Sequence, residues 1–181
     1  MTDTTTRTDE AHVQLGRDLV AAAYLEGDFV LSSGQRSRYY FDKYLFETKP
    51  DILRRLAAEL AALVPPGTDR ICGTELGAVA LAAALSLETS LPFVIARKGA
   101  KEYSTERLIE GILTPGDRVI VVEDIITSGT QAIRAAERVV AAGGEVLGIL
   151  AVVDREEGGP AAIAAAGFSL TTLFDRTSLG V

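Results

Sequence analysis

The chain has one cysteine, one histidine and no tryptophan among its 181 residues. Because an intramolecular disulfide needs two cysteines, Cys72 cannot form one. His12 lies in a predicted N-terminal helix, well before any candidate nucleophile loop, so we expect a solvated or capping histidine rather than a catalytic one. The same two counts leave a structural zinc site without its usual ligands, and any metal is expected to be Mg²⁺ held by oxygen atoms.

The sequence is also short of positive charge and of long apolar runs. Its formal net charge of -7 at pH 7 opposes nonspecific attraction to nucleic acid or anionic membranes. None of its apolar tracts approaches the roughly 18 residues of a membrane span, and the N-terminus MTDTTTRTDE has no apolar core like that of a signal peptide. We therefore expect a cytoplasmic protein with a small-molecule substrate and no nucleic-acid or membrane partner.

What the chain does have is a regular alternation of short apolar segments and helical patterns. The pattern predicts helices over residues 9–26, 50–63, 77–87, 130–142 and 160–166, and strands over residues 70–72, 92–97, 119–122, 146–153 and 170–174. Such alternation predicts a single α/β domain over residues 1–181, with a parallel sheet flanked by helices. Residues 1–8 are predicted to be disordered, and a Ser-Ser-Gly turn between aromatic runs predicts a hairpin over about residues 27–46.

The segment VIVVEDIITSGTQ, residues 119–131, joins a predicted buried strand to two acids and a loop of hydroxyl residues. Glu123 and Asp124 are predicted to follow the strand directly, where a vicinal diol would satisfy both carboxylates. Residues 127–130 offer backbone N–H groups and hydroxyls at the start of a helix, which suits a phosphate. A diol beside a phosphate describes a ribose 5-phosphate. A capped helix after a strand explains TSGT equally well, so the local motif leaves both interpretations open.

A cluster of cations occupies the polar segment RKGAKEYSTER, residues 97–107. Because it follows a strand at the predicted site, its lysines and arginines could neutralise a polyphosphate leaving group. A solvated surface loop is the alternative. Residues 73–77, in GTELGAVALA, likewise either present backbone amides to phosphate oxygens or only allow tight packing between strand and helix.

VIVVEDIITSGT resembles the phosphoribosyl pyrophosphate (PRPP) motif of type I phosphoribosyltransferases. The resemblance implies their fold, with a small N-terminal hood region over the site, and places Glu123 and Asp124 on the ribose hydroxyls. RKGAKEYSTERLIEG resembles the flexible catalytic loop of the orotate phosphoribosyltransferases. Together the two segments assign to PRPP the residues Arg97, Lys98, Lys101, Tyr103, Glu123, Asp124, Ile125, Ile126, Thr127, Ser128, Gly129, Thr130 and Gln131.

The loop resemblance implies that Lys101 and Asp124 are the catalytic residues. It also implies a homodimer with shared active sites, in which Arg97, Lys101 and Tyr103 act on the neighbouring subunit's site. The match is incomplete, because Ser104 stands where glycine is usual in the family. Many members also have histidine where Tyr103 stands.

Two further segments resemble the orotate enzymes. SSGQRSRYYFD resembles their region over the base, which implies that Tyr40 and Phe41 border orotate; simple hairpin core is the alternative. VVDREEGG resembles the segment that places Arg155 on the orotate carboxylate, with Thr127 nearby; a surface ion pair is the alternative. Some members carry a PRPP-contacting lysine at the position of Ser32, and the sequence leaves open whether the nearby Lys43 compensates for it.

The resemblance runs from about Phe29 to the C-terminus and predicts the reaction of orotate with PRPP, which gives orotidine 5′-monophosphate and pyrophosphate in pyrimidine synthesis. It implies Mg²⁺ held mainly through PRPP and water, with no direct protein ligand. A phosphoribosyltransferase for another base and a non-catalytic PRPP-sensing regulator are the rival interpretations. Arg155 and the lysine loop favour orotate, and the intact loop and a pI of about 4.8 favour an enzyme.

Overall fold

The computed structural model describes residues 4–30, 36–99 and 108–181 of the chain. Its helices are α1 (Thr4–Ala23), α2 (Lys43–Glu47), α3 (Pro50–Ala61), α4 (Ala78–Thr89), α5 (Thr130–Ala141), α6 (Gly159–Ala165) and α7 (Arg176–Leu179). Its strands are β1 (Tyr24–Val30), β2 (Arg36–Phe41), β3 (Arg70–Thr74), β4 (Phe93–Ala96), β5 (Ile109–Glu110), β6 (Arg118–Ile126), β7 (Glu145–Asp154) and β8 (Leu170–Asp175). Within these ranges, no helix is both long and apolar enough to cross a membrane.

A six-stranded sheet forms the centre of the molecule, with the strand order β5-β4-β3-β6-β7-β8. Neighbouring strands are parallel from β4 to β8, whereas the short edge strand β5 runs antiparallel to β4. The predicted α/β fold with a parallel sheet flanked by helices is therefore confirmed, and the edge strand makes the sheet mixed. Two residues of β5 are paired, Ile109 and Glu110, too few to give a recognisable strand pattern in the sequence.

Strand β6 lies in the middle of the sheet and is buried on both faces. Its side chains alternate between the faces, so Val119 and Val121 pack with α5, while Ile120 and Val122 pack with residues of α1, α3 and α4. This double burial explains the near-continuous apolar run in the sequence. Polar side chains near the end of β6 therefore lie next to a fully packed core.

The hairpin of β1 and β2 forms a separate two-stranded antiparallel sheet. Its second strand ends at Phe41, and α2 follows where the sequence pattern predicted a continuation of the hairpin. The Asp42 carboxylate accepts a hydrogen bond from the Tyr44 backbone N–H at 3.1 Å, which caps α2. Phe46 is fully buried, with its ring centroid 6.2 Å from that of Phe41. Capping and burial thus turn the chain from strand to helix.

Helix α1 differs from its prediction at both ends and in the environment of His12. It begins at Thr4, inside the segment predicted to be disordered, and ends at Ala23 because the next residues pair in β1. His12 Nδ1 lies 2.6 Å from Glu59 Oε2, and its ring stacks on Phe174 with centroids 4.4 Å apart. The His12 side chain is 38% exposed, as expected for a partly solvated histidine, but instead of capping a helix it joins α1 to α3 and β8.

Candidate active site

A pocket of about 930 Å³ opens at the carboxyl ends of the central strands, where ligands bind in open α/β sheets. One wall comes from the hairpin and α2, and the other from the ends of β6 and β7. Its lining residues are Leu25, Phe29, Val30, Tyr40, Phe41, Asp42, Lys43, Glu75, Lys98, Glu123, Asp124, Ile125, Ile126, Thr127, Ser128, Gly129, Thr130, Gln131, Ala132, Arg155 and Glu157.

The turn from β6 into α5, residues 127–130, forms what we call the phosphate cradle. Gly129 has φ +75°, and a Cβ there would lie 2.9 Å from Ile163 Cγ1 and 3.1 Å from the Gly159 carbonyl oxygen. The N-cap residue of α5 is Gly129, which has no side chain to cap the first turn. The first amides of a helix lack partners within the helix, so this turn can present N–H groups to an anion. The Ser128 and Thr130 hydroxyls, 2.9 Å apart, line the same turn.

The two acids of the motif lie inside β6 rather than after it. Pairing with β7 continues to Ile126, opposite Asp154, so the predicted strand end at Val122 is wrong by four residues. Both acids are buried, with exposed fractions of 5% for Glu123 and 1% for Asp124. The carboxylates therefore form the floor of the pocket, where their hydrogen-bond partners must come from neighbouring elements or from a ligand.

Glu123 is held from the side of β3. Its Oε1 accepts a hydrogen bond from the Thr74 hydroxyl at 2.7 Å, whereas its Oε2 has no donor among the described residues. Burial, and secondly the nearby Asp124, raise the pKa of Glu123 to about 8. At neutral pH this side chain can thus offer a polar group to a ribose hydroxyl with little added negative charge.

Asp124 is held from the side of α2. The Lys43 ammonium nitrogen lies 2.6 Å from Asp124 Oδ2, and burial of the lysine is outweighed by this attraction, so the pKa of Lys43 is raised. Gly77, which precedes α4, lies so close to Asp124 and Lys43 that a Cβ there would overlap the carboxylate. The pair therefore occupies a gap that only glycine leaves open.

Glu47, also on α2, is a site residue that sequence reasoning missed. It is 3% exposed, and burial together with the charge of Asp124 raises its pKa to about 9. Lys43 and Glu47 stand four residues apart, a spacing that places two side chains on one helix face. That signal was unreadable while residues 27–46 were interpreted as a hairpin.

The segment predicted to meet pyrophosphate divides into two parts. Lys98 lines the pocket, and its backbone N–H donates to Glu75 Oε2 at 2.7 Å. Arg97 lies outside the described pocket wall, where its guanidinium pairs with Glu110 at 3.1 Å. Arg138 of α5 donates to the carbonyl oxygens of both Arg97 and Lys98 and so anchors the start of this segment. Lys101 and Tyr103 lie outside the described residues.

The predicted loop of residues 73–77 begins inside β3, where the strand packs closely against α4. A Cβ on Gly73 would lie 2.7 Å from the Ala82 Cβ and 2.8 Å from the Ala78 carbonyl oxygen. Tight packing between strand and helix is therefore a sufficient reason for this glycine. Glu75, the first residue after β3, lines the pocket.

The residues predicted to contact a base come from both walls of the pocket, Tyr40 and Phe41 from the hairpin and Arg155 from the end of β7. Tyr40 and Phe41 both line the pocket, but Phe41 is largely core, whereas Tyr40 is exposed and faces the Phe29 ring at 5.6 Å between centroids. Arg155 Nη2 lies 2.7 Å from Glu157 Oε1, and both side chains line the pocket. A ligand carboxylate could replace Glu157 as the partner of this guanidinium.

Comparison with known proteins agrees with this geometry. The profile of the family described as phosphoribosyl transferase domain matches residues 47–171. The orotate phosphoribosyltransferase of Halobacterium salinarum is 46% identical over 167 residues, 90% of this chain and 95% of that protein. The one of Methanocella arvoryzae is 43% identical over 84% of this chain and 87% of that protein. The chain belongs to the orotate phosphoribosyltransferase family.

A solved orotate phosphoribosyltransferase has a closely similar structure. The Mycobacterium tuberculosis enzyme in its crystal structure with PRPP matches with a TM-score of 0.77 at 31% identity, over 94% of this chain and 99% of that chain. The resemblance of VIVVEDIITSGT and RKGAKEYSTERLIEG to this family is thus confirmed at the level of the family and its fold. The family profile begins at Glu47, so the hairpin and Lys43 lie outside it.

Proposed function

We propose that this pocket transfers the phosphoribosyl group of PRPP to orotate and releases orotidine 5′-monophosphate and pyrophosphate, a step of pyrimidine biosynthesis. The observation that carries the proposal is one pocket in which the phosphate cradle, the carboxylates of Glu123 and Asp124, and the Arg155 guanidinium converge. These three groups match the 5′-phosphate, the ribose hydroxyls and the carboxylate of the base. We further propose that residues 1–181 form a single domain that acts in the cytoplasm.

The cradle and the floor would fix the ribose in place. Backbone N–H groups at the start of α5 and the hydroxyls of Thr127, Ser128 and Thr130 bind the 5′-phosphate, while Ile125, Ile126 and Gln131 shape the wall around it. Glu123 and Asp124 bind the ribose hydroxyls. The Asp124 carboxylate also stabilises the positive charge that develops on the ribose as pyrophosphate leaves. Holding both reactants in one geometry lowers the barrier further, because the entropy of bringing them together has already been lost on binding.

No protein nucleophile is needed, since a ring nitrogen of orotate attacks the anomeric carbon. Cys72 is buried, and burial raises the pKa of its thiol to about 12, which makes it unsuitable as a nucleophile. Arg155 orients the orotate carboxylate with Thr127 nearby, and Tyr40, beside Phe41, covers the base. Arg97, Lys98, Lys101 and Tyr103 bind the pyrophosphate side of PRPP, with Lys101 stabilising the leaving group.

The charges of the pocket wall fit a substrate that brings Mg²⁺. Besides the largely neutral Glu123, the described wall has four carboxylates, those of Asp42, Glu75, Asp124 and Glu157, against three cations, Lys43, Lys98 and Arg155. A polyanion such as PRPP is repelled by such a wall unless a cation accompanies it. Bound Mg²⁺ would neutralise the diphosphate, and we propose that PRPP oxygens and water hold it rather than protein side chains.

An assay of the purified protein tests the proposal directly. PRPP and Mg²⁺ are incubated with orotate, adenine, hypoxanthine or guanine, and loss of orotate absorbance is followed together with pyrophosphate release. Turnover with orotate, and little with the purines, is expected. Turnover with a purine alone would mean that the enzyme uses a different base. PRPP binding without turnover would indicate a PRPP sensor.

We also propose that the protein is a homodimer whose 97–107 segment completes the neighbouring subunit's site. A Lys101→Ala chain and an Asp124→Asn chain should each be nearly inactive by themselves. Mixed under subunit exchange, they should form heterodimers with one site free of both substitutions, giving about a quarter of wild-type activity on random exchange. If both parents remain folded dimers and the mixture gains nothing, the shared site is disproved.

A further inference from the structure

Helix α2 lies outside the PRPP motif, yet two of its side chains meet an acid of that motif. Lys43 and Glu47 are four residues apart and therefore share one face of the helix. The Lys43 ammonium nitrogen lies 2.6 Å from Asp124 Oδ2, and the buried Glu47 carboxyl is close enough to Asp124 for the charge of that carboxylate to act on it. Lys43 lines the pocket, whereas the buried Glu47 stands behind it.

The oxygen atoms in this cluster have too few donors. Glu47 Oε1 and Glu123 Oε2 are buried, and no hydrogen-bond donor serves them among the described residues, whereas the buried Asp124 Oδ2 has the Lys43 ammonium group beside it. Two carboxylates facing each other in a buried site cannot both be ionised without a large cost. A proton on Glu47 converts one acceptor into a donor and removes the conflict.

We propose that Lys43 and Glu47 are positioning residues for Asp124, the lysine as its counter-ion and Glu47 as a neutral carboxylic acid that donates a hydrogen bond to it. The proposal rests on the proposed function, in which Asp124 binds the ribose of PRPP. Held by two partners, the Asp124 carboxylate has one orientation before PRPP arrives, so binding does not have to order it. Neither residue needs to touch the reacting atoms.

The charge environment favours the proton on Glu47. The charged groups that face it are Asp124 and Glu123 of β6 and Lys43 of its own helix. Burial first, and the Asp124 charge second, raise the pKa of Glu47 from 4.5 to about 9. Because the folded-state pKa is the higher one, stability from the neutral form is fully present below about pH 4.5 and is lost progressively as pH rises to about 9. Above that pH, a second negative charge faces Asp124.

Two substitutions of Glu47 distinguish the effect of its hydrogen-bond donor from the effect of its side-chain volume. Glu47→Ala removes the donor, and the KM for PRPP should rise by about tenfold or more with a smaller change in kcat. Glu47→Gln keeps a neutral donor of the same shape and should restore the KM to within about threefold of wild type near pH 7. If glutamine and alanine impair PRPP binding equally, the donor role of Glu47 is disproved.

The pH dependence supplies a second readout. Wild-type affinity for PRPP, measured by calorimetry from about pH 7 to about pH 10, should fall as Glu47 ionises near pH 9. The Glu47→Gln variant should lack that part of the fall, and Glu88→Gln, an exposed acid at the far end of α4, should keep it. An unchanged alkaline profile in Glu47→Gln would overturn the proposal.

Thermal unfolding distinguishes a failure of this proposal from a failure of the proposed function. The difference in Tm between Glu47→Gln and wild type should grow from about pH 5 to about pH 9, because only the acid titrates. This measurement needs no substrate, so it remains decisive even if wild-type protein does not turn over orotate. Normal orotate turnover with a constant Tm difference would reject the positioning role and leave the proposed function intact.

Discussion

The two halves of the proposed ribose site consist of different chemical groups. The phosphate cradle, residues 127–130, uses backbone amides, hydroxyls and a left-handed glycine, and it contains no charged side chain. The floor beneath the ribose is a buried acid cluster of Glu47, Glu123 and Asp124 with Lys43 as its cation. One half depends on the shape of a single turn, and the other on charges supplied by two separate elements, α2 and β6.

This difference determines what each half responds to. A backbone cradle is insensitive to pH but fails when its conformation changes, since its donors cannot move independently. A buried acid cluster tolerates small changes of shape, but its ionisation depends on every neighbouring charge. Substitutions of shape should therefore affect the cradle most, and substitutions of charge should affect the floor most.

Gly129→Ala should give the largest effect, a fall in kcat/KM for PRPP of about 100-fold. The new Cβ demands a left-handed alanine at φ +75° and meets Ile163 and the Gly159 carbonyl, so the turn must shift away from the phosphate. Gly167→Ala is the matched control, because it also stands at positive φ, +87°, but has open space around it. Steady-state kinetics and thermal unfolding of both variants distinguish the effect of a displaced cradle on PRPP binding from the loss of stability caused by alanine at positive φ.

Equal kinetic losses in Gly129→Ala and Gly167→Ala would contradict this account. Gly167 follows α6 and does not line the pocket. The left-handed alanine should therefore lower the stability of the Gly167→Ala variant but leave its PRPP kinetics within about twofold of wild type.

Lys43→Met should give the next largest effect, a loss of about 2 kcal/mol in the free energy of unfolding, or roughly 30-fold in the unfolding constant. The substitution leaves the buried Asp124 carboxylate without its cation. The figure lies below that of a fully buried pair because the lysine side chain is 31% exposed. Urea denaturation near neutral pH measures it.

A double-mutant cycle with Asp124→Asn decides whether the pair itself is responsible. In the Asp124→Asn background, Lys43→Met should cost little, since no carboxylate remains to be left unpaired. The same cost in both backgrounds would mean that Lys43 stabilises α2 by packing alone.

The sequence sufficed for the cradle because all of its parts are neighbours along the chain. The α/β alternation, the PRPP motif and the order of residues 123–131 are local patterns, and each one is legible in a single window of sequence. The strand end at Val122 was mispredicted because acids usually mark the surface, whereas here pairing with β7 carries both acids into the sheet. Tertiary pairing overrode the local polarity.

The floor could not be read in the same way because its members come from distant segments. Lys43 and Glu47 lie about eighty residues before Asp124, and only the packing of α2 beside β6 brings them together. The aromatic pattern after Phe41 favoured a continued hairpin, whereas the Asp42 cap and the burial of Phe46 produce a helix there. A buried salt bridge between distant residues leaves no periodic signal.

Ser128→Ala should have a smaller effect, with the KM for PRPP rising by about fivefold and kcat nearly unchanged. The backbone N–H groups of the cradle remain, so the phosphate loses one hydroxyl partner out of several. Ser86→Ala is the control, since this hydroxyl donates to the Leu91 carbonyl far from the pocket. The increase in KM should also be the same across the pH range in which Glu47 titrates. An effect of Ser128→Ala that varied with pH would show that the two halves are coupled.

Glu157→Gln should have the smallest effect and the opposite sign, lowering the KM for orotate by about two- to threefold. The Arg155 guanidinium now pairs with Glu157 at 2.7 Å, and a carboxylate of the substrate has to displace this half-exposed partner. A neutral amide competes less well, so the arginine becomes more available. The KM for PRPP should stay constant, because Arg155 stands on the base side of the pocket. A loss of orotate affinity instead would mean that Glu157 holds Arg155 in its binding orientation rather than competing for it.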